Sequence, residues 1–332
     1  MKIAITGGFG FIGANLVNHL SEKYPDYTMV IIDHKDHYAA QPENVVSRLN
    51  VQRYMNVDIR NALRIWEIFD CEKFDAVIHL AAESHVDNSI QNPLEFVETN
   101  VLGTASLLRA AQNIGVQKFY HISTDEVYGH LSLKDPGFKE TTPYAPRSPY
   151  SASKASSDHF VRAWHHTYGL PVVISNCSNN YGKFQHQEKL IPTVIRNLVQ
   201  KTPIPVYGTG ENVRDWLYVE DHCRAIDVIF HKGRIGETYN IGGAAEMGNI
   251  NLVQKICDIY DAQTGGQNSR GLIEFVEDRK GHDFRYSVNF EKLMVELKWM
   301  PSVSLNDGLA QTVDWYVQKY EAEKTNTSQV QE

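Results

Sequence analysis

A seven-residue segment near the start of the chain, Gly7 to Gly13, constrains the fold more than any other feature. Lys2-Ile-Ala-Ile-Thr6 is an apolar run of the length of a buried parallel strand. The chain then turns through Gly7-Gly-Phe-Gly10-Phe-Ile-Gly13 into an amphipathic stretch from Ala14 to Lys23. Without a Cβ, Gly7 and Gly10 allow a tight turn and let backbone N–H groups approach an anion at the positive end of the helix, while Gly13 lets helix and strand pack closely. The spacing is Gly-x-x-Gly-x-x-Gly, not the commoner Gly-x-Gly-x-x-Gly, and glycine turns also precede helices for packing alone.

The second strand narrows the choice. Thr28-Met-Val-Ile-Ile32 ends in Asp33, about twenty residues past the glycines, where a carboxylate accepts both ribose hydroxyls of NAD and repels a 2′-phosphate. NAD is therefore favoured over NADP, although His34 and Lys35 can soften the repulsion. Asn56-Val-Asp58-Ile59 closes a third strand, and Asp58 either faces the adenine amino group or caps the strand end.

Strands and helices alternate from there. Ala76 to Leu80, Lys118 to Ser123 and Val172 to Ser175 read as strands, with helices over 93–114 and 149–168 between them. That order predicts an α/β fold with right-handed crossovers, a doubly wound parallel sheet of the Rossmann type with ligands beyond the carboxyl ends of its strands. The second half is less regular: helices over 187–201, 220–231, 251–263 and 304–320, and strands over 204–207, 213–219 and 237–241. The expected division is an NAD-binding domain over 1–178, rejoined by 213–243, a smaller mixed α/β substrate-binding lobe over 179–212 and 244–325, and a frayed tail over 326–332.

Composition sets outer limits. A chain of 332 residues buries a large core in one or two joined domains, and its net charge of −8 argues against a general nucleic-acid or membrane-surface role. Cys71, Cys177, Cys223 and Cys257 are scattered without a Cys-x-x-Cys pair, as expected of reduced residues in a cytoplasmic protein. No signal peptide precedes the first strand, and no apolar run reaches membrane-spanning length. The histidines form no tight ligand set, so no metal is expected.

The chemistry-bearing residues cluster at strand ends. Ala81-Ala-Glu-Ser84 follows one strand and Ser123-Thr124-Asp125-Glu126 another, while Tyr150 and Lys154, four apart, share one face of the following helix. A nearby ammonium and a positive nicotinamide ring would lower a tyrosine hydroxyl from about 10 toward neutrality, as a base for alcohol oxidation requires. Two adjacent carboxyls exceed what hydride transfer needs. They suit an elimination that uses one carboxylate and one carboxylic acid at the same pH, provided the chain bends after Ser123 so that both face one site.

The glycine turn, Asp33, Ser123-Thr124 and Tyr150-x-x-x-Lys154 resemble the extended short-chain dehydrogenase/reductase family over nearly the whole chain. Within it, Leu80-Ala-Ala-Glu-Ser-His-Val-Asp87, Ser123-Thr-Asp-Glu-Val-Tyr-Gly129, Ser148 to Asp158, Arg214 to His222 and Gly281-His-Asp-Phe-Arg-Tyr286 resemble the nucleotide-sugar 4,6-dehydratases. Phe9 and Lys280 depart from the alanine and proline of that pattern.

The resemblance implies residue roles. Tyr150 takes the C4 hydroxyl proton while hydride passes to NAD, Lys154 tunes the phenol and binds the nicotinamide ribose, and Thr124 bonds the C4 oxygen. Glu126 takes the C5 proton, protonated Asp125 releases the C6 hydroxyl as water, and hydride returns to C6. To the cofactor it assigns Gly7, Gly10, Phe11, Ile12, Gly13, Asp33, His34, Lys35, Asp58, Ile59, Leu80, Ala81, Ala82, Ser84, Thr99, Asn180, Tyr150 and Lys154. To a nucleoside-diphosphate hexose it assigns Ser84, Thr124, Asn179, Lys189, Leu190, Pro205, Val206, Tyr207, Arg214, Asn249, Asp278, Arg279 and His282, with Arg214 and Arg279 suited to the diphosphate. The motifs leave dTDP-glucose and UDP-glucose both open. A 4-epimerase, which has no use for Asp125 and Glu126, and a non-catalytic NAD-binding protein are the other readings. The family also implies a homodimer in which helices 93–114 and 149–168 pair across a two-fold axis, with Phe96, Leu107, Leu108, Phe160 and Trp164 as apolar positions.

Overall fold

The computed structural model describes residues 1–34, 37, 40–46, 50–278 and 282–329. Lys35, Arg279, Lys280 and Gly281, singled out above, and the last three residues of the expected tail lie outside the described residues.

The chain opens with β1 (Lys2–Thr6), α1 (Phe11–Lys23), β2 (Thr28–Asp33), β3 (Val51–Asn56), α2 (Ala62–Glu72) and β4 (Ala76–His79). A short α3 (Val86–Gln91) precedes α4 (Pro93–Phe96), a π-helical turn (Val97–Gly103) and α5 (Thr104–Ile114). Then come β5 (Lys118–Thr124), a 3₁₀ turn (Asp125–Tyr128), α6 (Pro149–Tyr168), β6 (Val172–Cys177), β7 (Asn179–Tyr181), α7 (Leu190–Gln200), β8 (Ile204–Tyr207), β9 (Val213–Tyr218) and α8 (Val219–Lys232). The remainder is β10 (Thr238–Ile241), β11 (Glu246–Gly248), α9 (Asn249–Thr264), β12 (Ile273–Val276), α10 (Glu291–Leu297) and α11 (Leu305–Gln329). The last helix thus runs past Tyr320, where the sequence pattern places its end.

Seven strands form one parallel sheet in the order β10-β6-β5-β4-β1-β2-β3. The order reverses beside β1, as in a doubly wound fold. Alternate residues feed opposite faces, which explains why these strands read as unbroken apolar runs. Ile3, Ile5, Met29 and Ile31 pack under Leu16, Val17 and Leu20 of α1 and Ile226 and Ile229 of α8. Ala4, Val30, Ile32 and Val77 pack under Ile65 and Phe69 of α2, Leu107 and Leu108 of α5 and Val161 of α6. Each such side chain contributes about 1.5–3 kcal/mol by leaving water. Leu107 and Leu108 are thereby consumed by the chain's own core and Phe96 is buried as well, whereas Phe160 stays exposed.

A separate core holds the smaller elements. Ile191, Val194 and Leu198 of α7, Leu252 and Ile256 of α9, and Leu309, Val313 and Tyr316 of α11 close over Trp216 and Tyr218 of β9. There, β9 pairs with β7 and β11 in a three-stranded sheet, and β8 pairs with β12.

Registry aligns the rim of the main sheet. Thr6 lies opposite Ile32 and His79, Asp33 opposite Asn56, and Thr124 opposite Cys177. The strand ends carrying Gly7, Asp33, Asp58, Leu80 and Thr124 therefore open on one side.

Candidate active site

A cavity of about 620 Å³ follows that rim. Its floor is the glycine turn. Gly7 has φ of +70°, a left-handed conformation that favours glycine, and a Cβ there would stand 2.7 Å from the Ala81 amide nitrogen. A Cβ on Gly13 would overlap the Gly7 carbonyl oxygen, so the turn and α1 are in contact because nothing projects between them. Phe9 fills the outside of the turn, buried with its ring edge-on to Tyr54 at 4.7 Å. Asp33 accepts the Phe9 and His34 amide N–H groups at 2.8 Å each. Burial pushes its carboxyl above the ordinary range, while those two donors and His37 and His34 pull the other way. Asp58 receives the Arg60 amide at 2.9 Å and its guanidinium at 2.7 and 2.5 Å. Burial opposes its charge, yet the Arg60 bonds hold it below its usual value.

Each cofactor-side residue assigned from the sequence lines this cavity, apart from the undescribed Lys35. Ala81, Ala82 and Ser84 follow β4. The Glu83 backbone is clasped by Asn100, whose Oδ1 accepts the Glu83 amide at 2.8 Å and whose Nδ2 reaches Glu83 O at 3.0 Å and Ser153 Oγ at 2.8 Å. Asn100 belongs to the π-helical turn, whose wide pitch also puts Thr99 in the wall. Asn180 Oδ1 accepts from His222 Nδ1 at 2.8 Å, and His222 is buried. Sequence reasoning missed His37, bonded to Glu83 at 2.7 Å, and Arg60, Cys177, Ser178, Gln185 and His186. Arg60 and Ser178 had a signal, since each stands just beyond a strand end.

The chemistry-bearing groups meet in the middle. β5 ends at Thr124 and the chain turns at once into the 3₁₀ helix, supplying the bend that the two carboxyls require. Thr124 Oγ1 caps that turn, accepting the Glu126 amide at 3.3 Å, and donates weakly to Asp125 Oδ1 at 3.4 Å. Asp125 is 2% exposed, and its Oδ2 has no partner among the described residues. Burial, then the charges of Glu126 and Asp215, push its carboxyl well above the ordinary range, with Arg214 opposing.

Opposite them, α6 begins with a capping box between Ser148 and Ser151 and a proline at its first turn, so Tyr150 is held in the first helical residues. Lys154 Nζ, buried, donates to Ile122 O at 2.8 Å. The protein's own groups do not bring Tyr150 toward neutrality: burial, then the Glu126 charge, raise the phenol well above its ordinary value. Lys154 is itself lowered by burial. Only a positive charge arriving with a ligand can reverse that balance.

The substrate-side residues are less gathered. Ser84, Thr124, Asn179 and Lys189 line the cavity, with Lys189 Nζ donating to Ser84 O at 3.0 Å across it and Asn179 Oδ1 buried without a partner among the described residues. Leu190, Pro205, Val206, Tyr207, Arg214, Asn249, Asp278 and His282 stand outside its wall on the small lobe. There His282 Nδ1 lies 2.7 Å from Asp278 Oδ1. Arg214 spends its terminal nitrogens on the carbonyls of Val213, Asp283 and Phe284 and stacks on Tyr286 at 4.5 Å.

The glycine cradle and the carboxylates beyond the strand ends fit a dinucleotide. A family model described as GDP-mannose 4,6 dehydratase matches residues 4–312. The chain belongs to that family. The dTDP-glucose 4,6-dehydratase of Haemophilus influenzae is 47% identical, over 96% of this chain and 98% of its own. The crystal structure of DesIV, a dTDP-glucose 4,6-dehydratase from Streptomyces venezuelae with NAD and TYD bound, superposes with a TM-score of 0.90 at 42% identity, covering 97% of this chain and 98% of its own. The UDP-glucose 4-epimerase of Thermotoga maritima has a TM-score of 0.87 but only 29% identity, over 96% and 100%. Fold alone therefore does not separate dehydratase from epimerase; the family's residues around the turn after β5 must. Among the described residues no helix is long and apolar enough to cross a membrane, and no cluster of His, Cys, Asp or Glu is placed to hold a metal.

Proposed function

We propose that the protein is an NAD-dependent nucleotide-sugar 4,6-dehydratase that converts dTDP-glucose to its 4-keto-6-deoxy sugar. One observation carries the choice over an epimerase: two carboxyls on a single 3₁₀ turn, one wholly buried with an unpartnered oxygen, opposite Tyr150. An epimerase must keep the C5 proton and has no work for them.

The cavity residues along Gly7–Gly13, Asp33, Asp58 and Leu80–Ala82 would hold NAD. When bound, NAD accepts hydride from C4, returns it to C6 and brings a positive ring that favours the Tyr150 phenolate. Tyr150 then takes the C4 hydroxyl proton, Lys154 stabilises the phenolate, and Thr124 bonds the C4 oxygen. A ketone at C4 acidifies C5. Glu126 takes the C5 proton, and Asp125, held protonated by burial and by its neighbours' charges, gives its proton to the departing C6 hydroxyl, which leaves as water. The proton on Glu126 returns to C5. The small lobe, with Tyr207, Arg214, Asn249, Asp278 and His282, would carry the nucleotide. A homodimer through α4 to α6 is supported by the exposed Leu94, Val97, Leu102, Phe160 and Tyr168 on those segments; a monomeric mass in solution scattering would contradict it.

Incubation with dTDP-glucose tests the reading. A keto-sugar chromophore in base is expected, and a galactose product without it would make the protein an epimerase. Parallel incubation with UDP-glucose decides the nucleotide.

A further inference from the structure

Tyr150, Lys154, Asp158 and Arg162 follow one another at intervals of four along α6 and form one stripe. The reaction described above uses the first two. Asp158, two turns below Tyr150, is 0% exposed, and its surroundings are unusual for a structural carboxylate. Its Oδ2 accepts Ser123 Oγ at 2.9 Å and Tyr144 Oη at 2.8 Å. His121 Nε2, also at 0% exposure, lies 3.1 Å from Oδ1. Ser123 immediately precedes Thr124, Asp125 and Glu126. Tyr144 belongs to the segment joining the 3₁₀ turn to α6, and its hydroxyl in turn accepts Arg162 Nη2 at 2.8 Å and Asn176 Nδ2 at 3.0 Å. One carboxylate thus ties together the end of β5, the following loop and the helix bearing Tyr150 and Lys154.

We propose that Asp158 is a positioning residue of the active site: it is the buried counter-ion that keeps Lys154 an ammonium, and the anchor that sets the end of β5 against Tyr150. The proposal rests on the dehydratase reading for the reaction it serves. A lysine amine buried at this depth loses its proton unless an anion accompanies it. Among the described residues Lys154 Nζ bonds Ile122 O, a neutral acceptor, and makes no ion pair; Asp158, four residues along the same face of the helix, acts on it through space.

The other ionisable groups around the pair do not supply that anion. His121 on β5 is pushed down to about 4 by burial and by Lys154, and His79 on β4 is lowered well below its ordinary value by burial, so both are neutral. Cys177 on β6 is pushed up to about 12 and stays a thiol. Tyr128 and Tyr144, from the segment after β5, are raised by burial and stay phenols. Arg162 on α6 is a second cation. Asp158 keeps its charge: burial opposes it, but His121, Lys154 and Arg162 hold its carboxyl below the ordinary range. Tyr150, next up the stripe, faces Glu126 and Asp125 instead.

The test is the pH dependence of C4 oxidation in wild-type and Asp158→Asn holoenzyme, read as absorbance of the reduced cofactor, with thermal melts alongside. Without the counter-ion Lys154 gives up its proton earlier, so the alkaline limb should move down by about 1–3 pH units. A lower rate with an unmoved limb would overturn the proposal, because a merely structural carboxylate lowers the rate at every pH alike. Where Asp158→Asn fails to fold, Lys154→Met/Asp158→Asn decides, since removing both charges spares the fold the stranded cation. Recovered folding supports the pairing, and continued failure overturns it. That comparison needs no substrate, so it stands apart from whether dTDP-glucose is turned over.

Discussion

Asp125 and Asp158 occupy neighbouring regions, the 3₁₀ turn after β5 and the inner face of α6, and both are cut off from solvent. Their charge states are nevertheless driven in opposite directions. Asp125 has one weak donor, an unpartnered oxygen and two carboxylates nearby, so its proton is held. Asp158 has two hydroxyl donors on Oδ2 and two cations on its own helix, so its proton is lost, although Oδ1, 3.1 Å from His121 Nε2, makes no hydrogen bond among the described residues. Burial pushes both carboxyls up; it is the largest influence on Asp125, and at Asp158 it is outweighed. What separates them is the supply of donors and the sign of the neighbouring charge, which lets one fold keep an acid and a counter-ion within two strands and a helix.

The same substitution at the two sites should therefore have opposite consequences. The largest effect is on chemistry: Asp125→Asn and Glu126→Gln should each slow formation of the 4-keto-6-deoxy product by about 10²–10⁴-fold while C4 oxidation, seen as cofactor absorbance, persists. Loss of C4 oxidation in both, in folded protein with NAD bound, would break the separation between the carboxyl pair and Tyr150.

Next in size is stability. Asp158→Asn strands a buried ammonium and should cost about 3–5 kcal/mol in denaturant unfolding. Asp125→Asn replaces a protonated acid with a neutral isostere and should not destabilise; equal losses at the two sites would erase the contrast.

A pH series of melts sharpens the point through its signs. The folded-state value of Asp125 is raised, so stability is lost as pH rises above the unfolded value of about 3.9, and Asp125→Asn should melt above wild type at neutral pH. That of Asp158 is depressed, so its contribution is present above about 3.9 and lost as pH falls below it. Both differences from wild type should shrink in acid, from opposite sides.

The smallest effect is at Asp33, also raised by burial but supplied with two amide donors. Asp33→Asn should weaken NAD binding by about 1.5–3 kcal/mol and narrow its preference over NADP, measured by calorimetry with both cofactors. An unchanged ratio would remove Asp33 from the ribose.

The contrast also marks what a sequence discloses. The rim was legible because each of its groups sits just past a strand end, and strand ends are marked by apolar runs giving way to Gly7, Asp33, Leu80 and Ser123. The bend at Asp125 was legible only as a requirement of the chemistry. Asp158 stands inside the motif that carries Tyr150 and Lys154, yet its partners Ser123 and Tyr144 are 35 and 14 residues away, and such pairings are set by packing that no local pattern records. The rise of the Tyr150 phenol set by the protein's own groups was not legible either, because desolvation is a property of the assembled site. The small lobe was hardest: β7 and β11, of three residues each, are too short for an alternation to register.

The wide turn at Val97–Gly103 acts as a phase shifter. Seven residues in π geometry change the rotational setting of the helical segment, so that α4 meets α6 while α5 packs against both α2 and α6 on the face of the sheet. Deleting one residue there would turn everything downstream by about 100°. Thr104 would swing off His79, which it now meets at 2.9 Å, and Leu107 and Leu108 off the sheet. The segment's length is therefore a fixed quantity.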